Sequence, residues 1–208
     1  MAGIRGLYVI IDPDACAGRD CVDVARQALE GGAALLQWRD KRREKGDQLA
    51  QARAVRELCA RHGALCIVND HADLALAAGA DGVHLGQRDL PVELVRRFVP
   101  PEFIIGVSTN DAGEARRAEA SGASYVAIGA VFPTASKEPE RTRAASPERV
   151  REVKSAVGVP VVAIGGINAS NVGQVLAAGA DAVAVISAVC GADDPRAAAR
   201  ELARRFER

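Results

Sequence analysis

The residues with the clearest capacity for chemistry recur at intervals, each at the end of an apolar run. "QWRDK" (37–41) brings Gln37, Arg39 and Lys41 together. If the stretch is extended, these three lie on one face and Trp38 and Asp40 on the other. Three donors facing one way form a clamp for a phosphate group. Arg39 and Lys41 alone would read as a solvated, polar strand end. "FPTASK" (132–137) changes the balance, because Thr134 and Ser136 supply hydroxyls and Lys137 a further cation. The charged stretch that follows, to Ser146-Pro147, reads as a lid or as a solvated surface loop.

Two carboxylates stand at comparable positions, Asp70 after "LCIVN" and Asp89 after "GVHLGQR". Near phosphate ligands such a pair suits Mg²⁺, which takes one or two protein carboxylates and completes its octahedron with water and phosphate oxygens. Taken singly, Asp70 reads equally as a turn or helix-cap residue. "AIGGINAS" places Gly165-Gly166 before an expected helix, where bare N–H groups and the positive helix end receive phosphate. Ser187, expected on the last strand, adds a hydroxyl. Asn69, His71, Gln87, Ser108 and Thr109 occupy further strand ends. The histidines read as structural, with His84 a satisfied residue within a packed strand. No Ser-His-Asp arrangement and no acid/base carboxylate pair is evident.

The elements that carry these residues repeat. "ALEGGAALLQWRD" (28–40), "ALAAGADGVHLGQRD" (75–89), "AEASGASYVAIGAVF" (118–132) and "VLAAGADAVAVISAV" (175–189) each run from a helix end through a Gly-Ala turn into an apolar strand. With the runs between them, they predict strands at 7–12, 34–40, 64–70, 82–87, 103–108, 125–132, 160–166 and 182–189. Apolar residues spaced i, i+3, i+4 predict helices at 20–30, 47–61, 71–78, 91–98, 111–120, 147–156, 168–177 and 194–207. Asp111 with Glu114 has the form of a capping box, and Ser146-Pro147 that of a helix start. Near-continuous apolar strands belong in a parallel sheet covered on both faces. Eight β/α units without a composition break predict an α/β fold of one (β/α)₈ TIM barrel, a single domain over 1–208. A doubly wound sheet is the alternative, but no G-x-G-x-x-G follows the first strand. In a barrel, all the strand ends above converge on one mouth.

Bulk properties bound the function. Lys+Arg and Asp+Glu are both 27 in 208 residues, so no net field draws nucleic acid or an anionic membrane. No apolar run approaches the roughly 20 residues of a membrane span. Without the apolar core of a leader at the N-terminus, and with 5 cysteines lacking any C-x-x-C pair, a cytoplasmic protein with reduced thiols is expected. The partners expected are small molecules, with no nucleic acid or membrane.

"QWRDK", "VNDHADLA", "GVHLGQRDL", "IGVST", "GAVFPTASK", "PVVAIGGI" and "AVISA" occur in this order. Together they resemble the thiamine-phosphate synthase family over residues 7 to 190, nearly the whole chain. The resemblance implies Mg²⁺-dependent joining of 4-amino-2-methyl-5-hydroxymethylpyrimidine diphosphate to 4-methyl-5-(2-phosphoethyl)thiazole, with release of diphosphate. It implies that Gln37, Arg39, Lys41, Asn69, Ser108 and Lys137 hold the pyrimidine diphosphate, with Arg39, Ser108 and Lys137 catalytic. It implies Asp70 and Asp89 as Mg²⁺ ligands, and Thr134, Ser136, Gly166, Ile186 and Ser187 around the thiazole phosphate. It also implies a dissociative displacement, which needs charge on the leaving group more than a general base. The chain departs from the family pattern in T-A-S-K for T-x-T-K, in Ala130 for a common proline, and in Trp38 for a smaller apolar residue. A thiazole tautomerase relative would carry a histidine where Ala130 stands and tends to lose the aspartates. A phosphate-sensing barrel without catalysis is the alternative from another class, and a sugar-phosphate isomerase or epimerase would want a base at the mouth.

Overall fold

A computed structural model of the chain describes residues 3–134 and 146–207. Its strands are β1 (Gly6–Ile11), β2 (Leu35–Trp38), β3 (Leu65–Asn69), β4 (Gly82–Leu85), β5 (Ile104–Thr109), β6 (Tyr125–Ile128), β7 (Val161–Ile164) and β8 (Ala182–Val185). They pair in parallel, in sequence order, and β8 closes on β1. The helices are α1 (Cys21–Glu30), α2 (Lys45–His62), α3 (Ala72–Ala78), α4 (Val92–Val95), α5 (Ala112–Ala120), α6 (Pro147–Ala156), α7 (Val172–Ala177), α8 (Ser187–Cys190) and α9 (Pro195–Ala203), followed by a 3₁₀ turn at Arg204–Phe206. The expected (β/α)₈ barrel is the fold found. Among the described residues no helix is long and apolar enough to cross a membrane.

Strand alternation sorts the core into two shells. Leu7, Val9 and Ile11 face outward and pack with helix residues such as Val24, Val55 and Leu202. Tyr8 and Ile10 face inward and meet Leu35, Ile67, Tyr125, Ala127, Val162 and Ala184 inside the barrel. Trp38 is fully buried in the outer shell, where its indole N–H donates to Gln48 Oε1 at 3.2 Å and Arg43 lies over its ring. It is therefore on the face away from Gln37, as the alternation predicts.

Element starts follow local chemistry. Asp20, Asp111 and Asp194 cap α1, α5 and α9 through side-chain oxygens. Half of the expected Asp111 box forms: Asp111 Oδ1 accepts the Glu114 amide at 2.8 Å, but Glu114 Oε2 returns to the Asn110 amide at 2.7 Å, one residue before the cap. Ser146 precedes α6 with Pro147 in its first turn, but its hydroxyl makes no cap bond.

Several boundaries differ from the sequence expectation, most of them at the mouth. The second strand stops at Trp38 rather than 40, because Asp40 Oδ1 accepts the amides of Arg42 and Arg43 and turns the chain. The sixth stops at Ile128, although the Val131 and Phe132 amides still bond Ile164 and Gly165. The eighth stops at Val185: the carbonyl of Ile186 accepts the amides of Val189 and Cys190, so Ser187 opens the short α8 instead of ending a strand. The helix expected from 168 begins at Val172, because the Asn168 and Asn171 side chains hold residues 168–171 in a turn of their own. Helix 91–98 shrinks to one turn at Val92–Val95.

Candidate active site

Among the cation–carboxylate pairs at the carboxyl ends of the strands are those made by Arg39 and Lys41. Asp12, just past β1, is almost wholly buried, and its Oδ2 accepts from the Arg39 guanidinium. Its Oδ1 accepts the Asp14 amide at 3.0 Å, so one carboxylate both shapes the first loop and fixes the arginine. Lys41 Nζ lies 3.5 Å from Asp70 Oδ2. Arg39 and Lys41 thus leave the strand, each toward an acid, whereas Gln37 remains on β2 and turns inward, buried against Tyr8. The three donors of "QWRDK" reach the mouth at different depths rather than as one flat row.

Asp70 and Asp89 approach each other. Asp70 occupies left-handed backbone at φ 62°, and its amide donates to the His84 carbonyl at 2.8 Å, which ties the end of β3 to β4. The residue before α3 is His71, so Asp70 is not that helix's cap. Asp89 Oδ2 accepts the Gly86 amide at 2.6 Å, which sets the β4–α4 loop. Burial raises the Asp89 carboxyl above the usual carboxylate range, and the charge of Asp70 adds to the shift. Two acids this close, with Lys41 the nearby cation, form a donor set that a further hard cation would relieve. Among the described residues no three His, Cys, Asp or Glu side chains group as a metal cage, so a cation here would complete its shell from ligand and water.

Beneath these charges runs a polar line. Gln37 Nε2 donates to Tyr8 Oη at 2.7 Å, and the two tyrosine oxygens lie 3.1 Å apart. Tyr125 Oη is 2.9 Å from His84 Nδ1, and His84 Nε2 is 2.9 Å from Ser108 Oγ. Gly106 makes room: a Cβ there would sit 2.0 Å from the Tyr125 ring. Burial raises both phenols, so they remain neutral donors and acceptors. His84 is satisfied, as expected, but by Tyr125 and Ser108. A cleft of ≈ 400 Å³ opens beside Ser108, lined also by Gly86, Asp89, Thr109 and Glu114.

The far wall joins the ends of β6, β7 and β8. Gly165 and Gly166 both have positive φ, and a Cβ on Gly166 would lie 2.5 Å from the Pro133 carbonyl oxygen. The glycine pair therefore lets the segment leading to Thr134 press against the end of β7, rather than sitting at a helix start. Asn171 Nδ2 holds the Gly166 carbonyl at 2.9 Å. Ile186 and Ser187 stand opposite at the start of α8, which Arg19 anchors through the Ala192 carbonyl at 2.7 Å and the Cys190 carbonyl. Cys190 gives its thiol hydrogen to the Ile10 carbonyl at 3.3 Å, and all five cysteines are free. Ser136 and Lys137 lie outside the described residues; Thr134 is the last residue before them.

The comparisons with known proteins decide the family. A family model described as thiamine monophosphate synthase matches residues 7–189. The chain belongs to this family. It is 52% identical over 196 residues to a thiamine-phosphate synthase from Methanoculleus marisnigri, covering 94% of this chain and 92% of the relative. It is 48% identical over 198 residues to a thiamine-phosphate synthase from Methanospirillum hungatei, covering 95% and 96%. Among solved structures, a thiamine phosphate pyrophosphorylase from Pyrococcus furiosus superposes with a TM-score of 0.91 at 40% identity, covering 99% of this chain and 97% of that one. The chain is thus a transferase of the thiamine monophosphate synthase family, as its motif order implies.

Within this thiamine monophosphate synthase barrel, sequence reasoning missed Asp12, Tyr8 and Tyr125 and underrated His84. Asp12 had a signal in "LYVIIDPD", where alternation puts Tyr8, Ile10 and Asp12 on one face. For Tyr8 the same alternation was the signal, and for Tyr125 the only hint was rarity, since the sequence holds just 2 tyrosines.

Proposed function

We propose that the protein condenses 4-amino-2-methyl-5-hydroxymethylpyrimidine diphosphate with 4-methyl-5-(2-phosphoethyl)thiazole to form thiamine phosphate and diphosphate. The observation that carries this reading is the convergence of Arg39, Lys41, Asp70, Asp89 and Ser108 on one mouth, in a chain of this family.

In this reading the diphosphate binds between Arg39, Lys41, Ser108 and Lys137, with the pyrimidine over Gln37 and Asn69. The thiazole phosphate binds against Thr134, Ser136, Gly166, Ile186 and Ser187. Asp70 and Asp89 hold Mg²⁺, which when bound neutralises charge on the diphosphate oxygens. The donor set supports that role, because the close acids already disfavour their own double ionisation.

The reaction breaks the bond between the pyrimidine methylene carbon and the diphosphate oxygen, and the electron pair leaves with diphosphate. The thiazole nitrogen then supplies its lone pair to the same carbon, giving the thiazolium product. No proton need be removed, which agrees with a mouth of fixed donors. Arg39, Lys41 and Lys137 stabilise the charge that grows on the leaving group, a contribution made in the transition state. Asp12 keeps Arg39 in place before substrate arrives, so that ordering is not required at the moment of reaction.

The thiazole tautomerase alternative is disfavoured by Ala130 and by the presence of both aspartates. Small-molecule substrates and a cytoplasmic setting follow from the same reading, with 1–208 acting as one domain. The test is product formation with both substrates and Mg²⁺, and a protein that releases no diphosphate would end the proposal.

A further inference from the structure

We propose that His84 is a positioning residue that fixes the Ser108 hydroxyl as a hydrogen-bond donor toward the mouth, through a one-way chain running from Gln37 across both tyrosines. The catalytic part of this inference rests on the reading of the site above; the direction of the chain does not.

The direction follows from a count of protons. A phenol oxygen carries one hydrogen, a neutral imidazole carries one, and an amide nitrogen can only donate. Gln37 Nε2 donates to Tyr8 Oη. The Tyr8 hydrogen then has Tyr125 Oη, 3.1 Å away, as its partner. Tyr125 is an acceptor in that contact, so its own hydrogen goes to His84 Nδ1 at 2.9 Å. Nδ1 must therefore be bare. The ring hydrogen sits on Nε2 and points at Ser108 Oγ, 2.9 Å away. Ser108 accepts from the histidine, and its own hydrogen cannot return along that line. It is left for a ligand in the mouth.

The middle of the chain is enclosed. Tyr8 and Tyr125 are fully buried, and among the described residues no buried side-chain nitrogen or oxygen lacks a partner. The His84 ring stacks on Tyr125 with centroids 5.6 Å apart, and the two tyrosines meet edge to face at 6.3 Å. Reversing one link would place two hydrogens or none between a pair of facing atoms, so the direction is set as a unit. The fold thus decides, four residues away at Gln37, that Ser108 presents hydrogen rather than a lone pair. That polarity suits a site that receives phosphate oxygens.

Two measurements test this on the full-length protein. The first is the ¹⁵N side-chain histidine spectrum, with the His84 signals identified by their loss in His84→Gln. The expected result is a neutral ring protonated on Nε2 alone; a proton on Nδ1, or on both nitrogens, overturns the chain. This readout needs neither turnover nor substrate, so it stands even if the proposed reaction fails.

The second is a kinetic cycle with diphosphate release as the assay. His84→Ala should lower kcat by about 10- to 100-fold, the range of one hydrogen bond to a charged group, with KM for the pyrimidine diphosphate little changed. In a Ser108→Ala background the same change should cost almost nothing further. His84→Gln, whose amide reaches the place of Nε2, should restore more activity than His84→Asn, whose amide reaches only that of Nδ1. Equal losses in both backgrounds, or equal rescue by Asn and Gln, would show that His84 does not act through Ser108.

Discussion

Asp12→Asn isolates the role of a residue that touches no substrate in the proposed reaction. The change is nearly isosteric. Asparagine keeps Oδ1, so the 3.0 Å bond from the Asp14 amide and the turn it makes should survive. What is lost is the acceptor facing Arg39, because the Oδ2 position becomes an opposing NH₂ group. A hydrogen bond between charged partners contributes about 1.5–3 kcal/mol, and a neutral one about half that. The side chains are 9% exposed at Asp12 and 22% at Arg39, so water reaches the arginine but scarcely the acid. The lower part of the range applies, about 1.5–2 kcal/mol, or about a 10- to 30-fold effect. If Asp12 preorganises Arg39, kcat/KM for the pyrimidine diphosphate should fall by that factor, and the melting temperature by about 3–8 °C for a chain of this size. Continuous diphosphate release and a thermal melt measure the two effects. Wild-type kcat/KM with an unchanged melt would show that Arg39 stands without Asp12. Tighter substrate binding would show that the acid competes for the arginine rather than presenting it.

Other perturbations follow from the same geometry. Lys137→Ala should lose about 100-fold or more in kcat, as for removal of one donor to a developing anion, and near-normal turnover would leave the lysine without a part in the reaction. Asp89→Asn should raise the melting temperature of the metal-free protein at neutral pH and abolish the further rise caused by Mg²⁺; a Mg²⁺ titration like the wild type would refute the ligand role. The sign comes from the raised Asp89 carboxyl: the folded state holds that proton more tightly than the unfolded chain, so its contribution to stability is full at low pH and declines as pH rises from the ordinary carboxylate range through the raised value. Melts from pH 4 upward should therefore show the wild type losing ground to Asp89→Asn. Trp38→Phe should cost about 1–3 kcal/mol, because it strands Gln48 Oε1 in the outer shell, yet leave kcat and KM unchanged; a kinetic defect would mean that the outer shell reaches the mouth.

The fold was legible because eight apolar runs separated by Gly-Ala turns admit few other arrangements, and because parallel strands covered on both faces need no polar face. Arg39, Lys41, Asp70 and Asp89 could be seen as a group once the barrel was assumed, since closure alone brings strand ends together. The boundaries at Ser187 and Gly166 were misjudged for one physical reason. Apolar residues continue past the last ladder bond, and pattern does not mark where the backbone turns, which here depends on Ile186 and on the Asn168 and Asn171 side chains. The line from Gln37 to Ser108 could not be read at all. Alternation says that Tyr8 and His84 face inward, but that Tyr8 meets Tyr125, 117 residues away, depends on barrel closure and on the space left by Gly106.

The decisive experiment is to incubate the purified protein with the pyrimidine diphosphate, the thiazole phosphate and Mg²⁺ and to follow both products in one reaction. A synthase should give diphosphate and thiamine phosphate in equal amounts, with neither formed when one substrate is left out. No thiamine phosphate in the complete mixture, or diphosphate released without it, would rule out condensation of the two substrates.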